Sequence, residues 1–175
     1  VTGRMVPDET ALVQDERYIN ARPADPDPEV DYHVGNPAFL GANEMKKELG
    51  NGYTTALRRS YPFIPDGADL SMYNYSRSAM LLRDGEIKAM GLILPDSVDR
   101  GANQKVVQSF MEGENSLSII MACPNMPWWS EGPSGAKVRV AMMALRSGSV
   151  EGTLYSVIGE KSGYGVMDVD LMAEK

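Results

Sequence analysis

Cysteine and histidine are almost absent, with one of each, Cys123 and His33, in 175 residues. A single thiol closes no intramolecular disulfide and builds no multi-thiolate zinc site, so stability has to come from packing. Any Ser-His-Asp or Cys-His nucleophile system would have to run through His33, which sits in a proline-punctuated stretch just before Gly35-Asn36-Pro37. A nucleophile needs a rigid scaffold, so His33 reads as an arm residue at a turn. Cys123, in Met121-Ala122-Cys123-Pro124, reads as a small core residue whose apolar neighbours raise its thiol pKa and leave it inert.

Long apolar runs are missing too. Stretches such as Ala89–Leu94 fall far short of the roughly 20 residues that span a bilayer. No basic-then-apolar leader opens the chain, and the Val1 start is compatible with processing, trimming of an initiator or a partial chain. Positive charge is scarce: 17 Lys and Arg face 24 Asp and Glu, for a net charge of −7 and a pI near 4.8. That balance repels phosphate backbones and anionic headgroups, so neither nucleic acid nor membrane is an expected partner. The acid is concentrated at the start, where residues 1–33 hold eight acids and three bases.

Hydrophobic residues at 43% and charged residues at 23% are ordinary for one globular domain. Residues 1–37 lack a period of 2 or 3.6, and Arg22-Pro23-Ala24-Asp25-Pro26-Asp27-Pro28 blocks helix and ladder alike. They read as an extended acidic arm, followed by a single domain over 38–175. The arm's Val6, Leu12, Val13, Tyr18, Ile19 and Tyr32 are spaced to lie across another surface.

Within the domain two short helices are expected. One runs over 43–49, capped by Asn43 and ended by Gly50; the other runs over 103–112, with Val106/Phe110 and Val107/Met111 on one stripe. The rest reads as strand. Ser78–Leu82 and Ile87–Leu94 flank Asp84-Gly85, the strongest hairpin signal in the chain, which would set Arg83 opposite Glu86. Further strands are expected at Tyr53–Arg59, Leu70–Tyr75 and Leu117–Ala122, then a meander over Lys137–Leu145, Val150–Ile158 and Tyr164–Met172. Strands following strands predict a mainly β fold, an antiparallel β-sandwich of which a jelly roll is one arrangement.

Candidate chemistry is sparse. Asp168 and Asp170 share one face of a strand and could hold calcium or pair as carboxylates, but charged edge strands commonly look the same. Asp96, Asp99 and Glu131 are loop carboxylates with the same ambiguity. Residues 160–165 lack the glycine spacing of a phosphate loop and read as a hairpin connection. Asn74-Tyr75-Ser76 matches the N-glycosylation triplet, which matters only in a secretory compartment. The most unusual feature is Trp128-Trp129 in a Pro-rich loop, where one ring can anchor the loop and the other stay available to a partner or a sugar ring. Twelve methionines suit gap-filling in the core and adaptable subunit contacts.

No catalytic residue set, cofactor motif or metal site is assigned, and the chain is not expected to be an enzyme. The pattern predicts a structural subunit, a capsid, minor capsid or decoration protein of a virus or phage particle, whose arm contacts copies of itself or companion subunits. Its expected place is the virion or another large assembly, and otherwise the soluble cytoplasm. Two alternatives stand beside it: a carbohydrate- or ligand-binding module using Trp128 and Trp129, and an accessory subunit of an enzyme complex.

Overall fold

An aspartate cap and a left-handed glycine turn the expected hairpin into a helix. Asp69 Oδ1 accepts from the Ser71 N–H at 2.9 Å and from its hydroxyl at 2.7 Å, which satisfies the first amide of a helix spanning Ser71–Arg83. Gly85 at φ 79° closes its other end, and the Glu86 N–H returns to Leu81 O at 2.9 Å. A type I′ hairpin and a helix C-terminus both need a glycine at positive φ, so Asp84-Gly85 fits either. Met72, Tyr75, Ala79 and Leu82, spaced for a helix, are all buried and decide for it. Arg83 therefore does not face Glu86; it donates to Ser109 O at 3.0 Å and lies over the Phe110 ring, 4.6 Å from its centroid.

The computed structural model describes residues 30–129, 137–163 and 166–174. Its elements in chain order are β1 (Tyr32–Gly35), α1 (Ala42–Leu49), α2 (Asn51–Ser60), α3 (Ser71–Arg83), β2 (Ala89–Pro95), a 3₁₀ turn (Asp96–Asp99), α4 (Gly101–Met111), β3 (Leu117–Trp129), β4 (Lys137–Ser147), β5 (Thr153–Gly163) and β6 (Val166–Ala173). The six strands form one sheet in the order β1-β2-β4-β3-β5-β6. β1 pairs with β2 and β5 with β3 in parallel, and the other three pairings are antiparallel.

This mixed sheet with four helices corrects the expectation of an antiparallel sandwich or jelly roll. Tyr53–Arg59 lies in α2 and Leu70–Tyr75 in α3, while β4 and β5 are separated by β3 rather than joined as a meander. The two expected helices are present as α1 and α4. Asn103 does not cap α4, however. It is buried, accepts from the Asp69 N–H at 2.9 Å and donates to Ser97 Oγ at 3.1 Å, tying α3, α4 and the 3₁₀ turn together.

Met90, Leu92 and Leu94 alternate with half-buried neighbours along β2, and their partners Leu145, Met143 and Ala141 on β4 are buried with them. They join Met72, Leu82, Val106 and Phe110 of α3 and α4 in one core. The opposite sheet face carries Tyr32 and Val34, 64% and 78% exposed, in register with Ala89 and Gly91. Ile93, Met121 and Met142, on the same face by register, are only half-buried. Helices thus cover one side of the sheet.

Tyr75 is buried with its ring edge-on to Phe110, and its hydroxyl has no hydrogen-bond partner among the described residues. Burial pushes that hydroxyl well above the ordinary tyrosine range. Tyr75→Phe should therefore raise stability by about 1 kcal/mol near neutral pH, because the desolvated hydroxyl disappears. Below about pH 10 the tyrosine is neutral in both states; above it only the unfolded chain ionises, so native stability falls as pH rises and the variant lacks that fall. Thermal melts at neutral and alkaline pH check both signs, and a lower midpoint for the variant at pH 7 would contradict them.

Candidate functional site

β4 runs against both β2 and β3, so β1, β2 and β3 all point the same way and end at the same edge of the sheet. Ligands of open α/β sheets bind in the crevice outside the carboxyl ends of such strands. Three pieces meet that edge: the loop Asn36-Pro37-Ala38-Phe39 leaving β1, the 3₁₀ turn leaving β2, and the last third of β3. Asn36 is exposed, Pro37 contributes no N–H, and the Phe39 side chain is 37% exposed. Leu40 O accepts from the Leu70 N–H at 2.9 Å, which fixes the end of this loop to the start of α3.

The neighbouring groups are ionised and mutually paired. Asp96 Oδ1 accepts from the Asn125 N–H at 2.9 Å, and its Oδ2 accepts from Arg100 Nη2 at 2.8 Å. Arg139 Nη1 donates to Asn125 O at 3.1 Å, and the same guanidinium pairs with both carboxylate oxygens of Glu160. That bidentate pairing raises the Arg139 pKa further. Asn125 stands at φ 55° where the β3–β4 register jumps between Cys123 and Met126, so Pro124-Asn125 is a bulge.

The likeness to known proteins is confined to the fold. No family model and no curated protein matches the chain. Among solved structures it is similar to the Type IIL restriction-modification enzyme MmeI in complex with DNA, at 16% identity and a TM-score of 0.58. The match covers 82% of this chain and 18% of that one, so the chain spans less than a fifth of that neighbour's length.

The residues singled out in the sequence are scattered over this frame. His33 lies on β1, its Nδ1 2.7 Å from Ser78 Oγ. Ser78 is buried and donates its proton to Asn74 O at 2.9 Å, so the imidazole N–H donates to the serine oxygen. The pair joins β1 to α3, and a hydroxyl so enclosed meets no substrate. Cys123 is buried, and burial pushes its thiol up. Asp96 belongs to the edge network, Asp99 lies 3.7 Å from Arg100, and Asp170 is exposed opposite Gly159. In Asn74-Tyr75-Ser76 the serine is buried within α3.

Tyr32 stands exposed on β1, and Trp128 is 38% exposed on β3 opposite Val138. The tryptophan pair therefore sits on a strand rather than in a loop; the bulge at Pro124-Asn125 lets β3 continue past its prolines. Val6, Leu12, Val13, Tyr18, Ile19 and Glu131, and the side chains of Trp129 and Asp168, lie outside what is described. Among the described residues no helix is long and apolar enough to cross a membrane.

Sequence reasoning missed Asn36, Phe39, Asn125, Arg139 and Glu160. The available signal was the Asn36-Pro37 step directly after Tyr32-His33-Val34-Gly35, where the residue before proline favours extended backbone at a strand end.

Proposed function

We propose that this chain is part of a DNA-modifying enzyme. Its sheet edge receives an everted base and positions that base's exocyclic amino group for methyl transfer. The carrying observation is the loop leaving β1, which presents the exposed Asn36 amide and Phe39 ring at the carboxyl edge of the strands. Enzymes that act on a base inside a duplex swing it out, hold it by hydrogen bonds to its edge and stack it on aromatic side chains. The Asn36 amide oxygen is an acceptor for an amino N–H, Pro37 adds no competing donor, and Phe39 offers the ring. Accepting those protons leaves the nitrogen lone pair free to attack: the N–C bond forms, the C–S bond of a sulfonium methyl donor breaks, a thioether leaves, and the extra amino proton passes to water. The fold likeness to a restriction-modification enzyme bound to DNA supports the same reading.

Net charge does not oppose it locally. Residues 34–83, which contain this loop, carry six bases (Lys46, Lys47, Arg58, Arg59, Arg77, Arg83) and four acids (Glu44, Glu48, Asp66, Asp69). The acidic excess therefore lies elsewhere in the chain.

The test is transfer of labelled methyl from S-adenosylmethionine to plasmid DNA by the native protein. Asn36→Ala should lower kcat about 100-fold with DNA affinity retained, the loss typical of one preorganised polar group at a reacting centre. Phe39→Ala should lose roughly tenfold in kcat/KM, as removal of a base-stacking ring does. A native protein that transfers no methyl group, or an Asn36→Ala variant at full rate, overturns the proposal.

A second reading keeps the assembly subunit, of a virus particle or otherwise. The apolar face left uncovered by helices, with Tyr32, Val34, Ile93, Met121 and Met142, favours a companion surface there. Sedimentation separates the two: Tyr32→Glu with Val34→Glu should dissociate an assembly and leave methyl transfer untouched.

A further inference from the structure

Asn125 is held more firmly than an exposed residue requires. Two side chains hold its backbone, Asp96 taking its N–H and Arg139 donating to its carbonyl, and each is braced in turn, Asp96 by Arg100 and Arg139 by Glu160. Surface ion pairs contribute little stability and ordering four long side chains opposes it, so the net fixes geometry more than it holds the fold. What it fixes is a positive-φ bulge at the edge that also carries Asn36 and Phe39. The Asn125 side-chain amide is exposed and has no hydrogen-bond partner among the described residues. Glycine takes a left-handed bulge at no steric cost; asparagine tolerates it and adds an amide. Bulges beside active sites commonly serve to aim one side chain.

We infer that Asn125 is a specificity-determining residue that reads a base edge of the bound DNA through its side-chain amide, with Asp96 and Arg139 as its positioning residues. An amide offers one donor and one acceptor side by side, the complement of the N6 and N7 edge of adenine. The inference rests on the base-modifying reading above.

The experiment maps every methylated position on plasmid DNA for the native protein, Asn125→Gly and Asp96→Ala. Asn125→Gly keeps the left-handed backbone and deletes only the amide, so its melting temperature should stay near wild type. Its discrimination between the preferred site and singly substituted sites should drop about tenfold or more, as loss of one bidentate base contact does. Asp96→Ala keeps the amide and frees its backbone, and should lose part of the same discrimination. An active Asn125→Gly variant with an unchanged set of methylated positions overturns the inference alone, leaving Asn125 as a bulge former. A native protein that neither binds nor methylates DNA overturns both this inference and the reading beneath it.

Discussion

Gly152→Ala is expected to peel β5 and β6 from the sheet. A methyl group built on Gly152 would lie 2.0 Å from the carbonyl oxygen of Ile119 and 3.1 Å from the Ile120 Cα, and both are backbone atoms. Neither strand can yield cheaply. Ile119 is paired with Leu145 in the centre of the sheet, and the connection on the other side is pinned by Ser118, whose hydroxyl donates to Gly148 O at 2.6 Å and accepts from the Val150 N–H at 3.1 Å. Just beyond Gly152 lie the parallel pairs Met121 with Thr153 and Ala122 with Leu154, which join β5 to β3. Overpacking that no side-chain rotation relieves costs about 3 kcal/mol. The loss should appear as fast amide exchange over Thr153–Ile158 and β6 while β2 and β4 stay protected, since locally weak units open without global unfolding. Wild-type exchange over Thr153–Ile158 in the variant would show that the approach is looser than these distances require.

The same close approach explains why the sheet order was not legible in the sequence. Strand-like runs set off by glycines marked β4, β5 and β6 near their observed positions. Nothing in a period of 2 says which strand lies beside which. Gly152 seats β5 against β3, and the sequence shows only a glycine between two runs. The helices divide in a similar way. α1 and α4 were legible through their apolar stripes, whereas α3 was hidden because Asp84-Gly85 serves a hairpin and a helix end equally. The candidate site was harder still. Asn36, Asp96, Asn125, Arg139 and Glu160 are spread over more than a hundred positions and reach one edge only because β1, β2 and β3 point the same way. His33 was read as an arm residue because the bond that places it, to Ser78, spans 45 positions.

Leu94→Ala should be the most damaging single truncation next to that edge. Leu94 is fully buried on β2, in register with Ala141 of β4, and shares the core with Met72, Val106 and Leu145. Removing its three terminal carbons leaves a cavity that β2 cannot readily collapse into, because β4 pairs with it through Pro95 and β1 holds it as far as Leu92. Transfer and cavity together cost about 3–5 kcal/mol. The denaturant midpoint should fall with an unchanged slope, the sign of lost stability rather than an altered unfolded state. Leu94→Met, which conserves volume, should lose less than about 1.5 kcal/mol. Two residues beyond Leu94 stands Asp96, whose carboxylate holds the Asn125 N–H. Loosening β2 should therefore raise amide exchange at Asn125 in Leu94→Ala and leave it slow in Leu94→Met. If the alanine variant loses under about 1 kcal/mol, or Asn125 exchanges as in the native chain, the core does not brace the edge through β2.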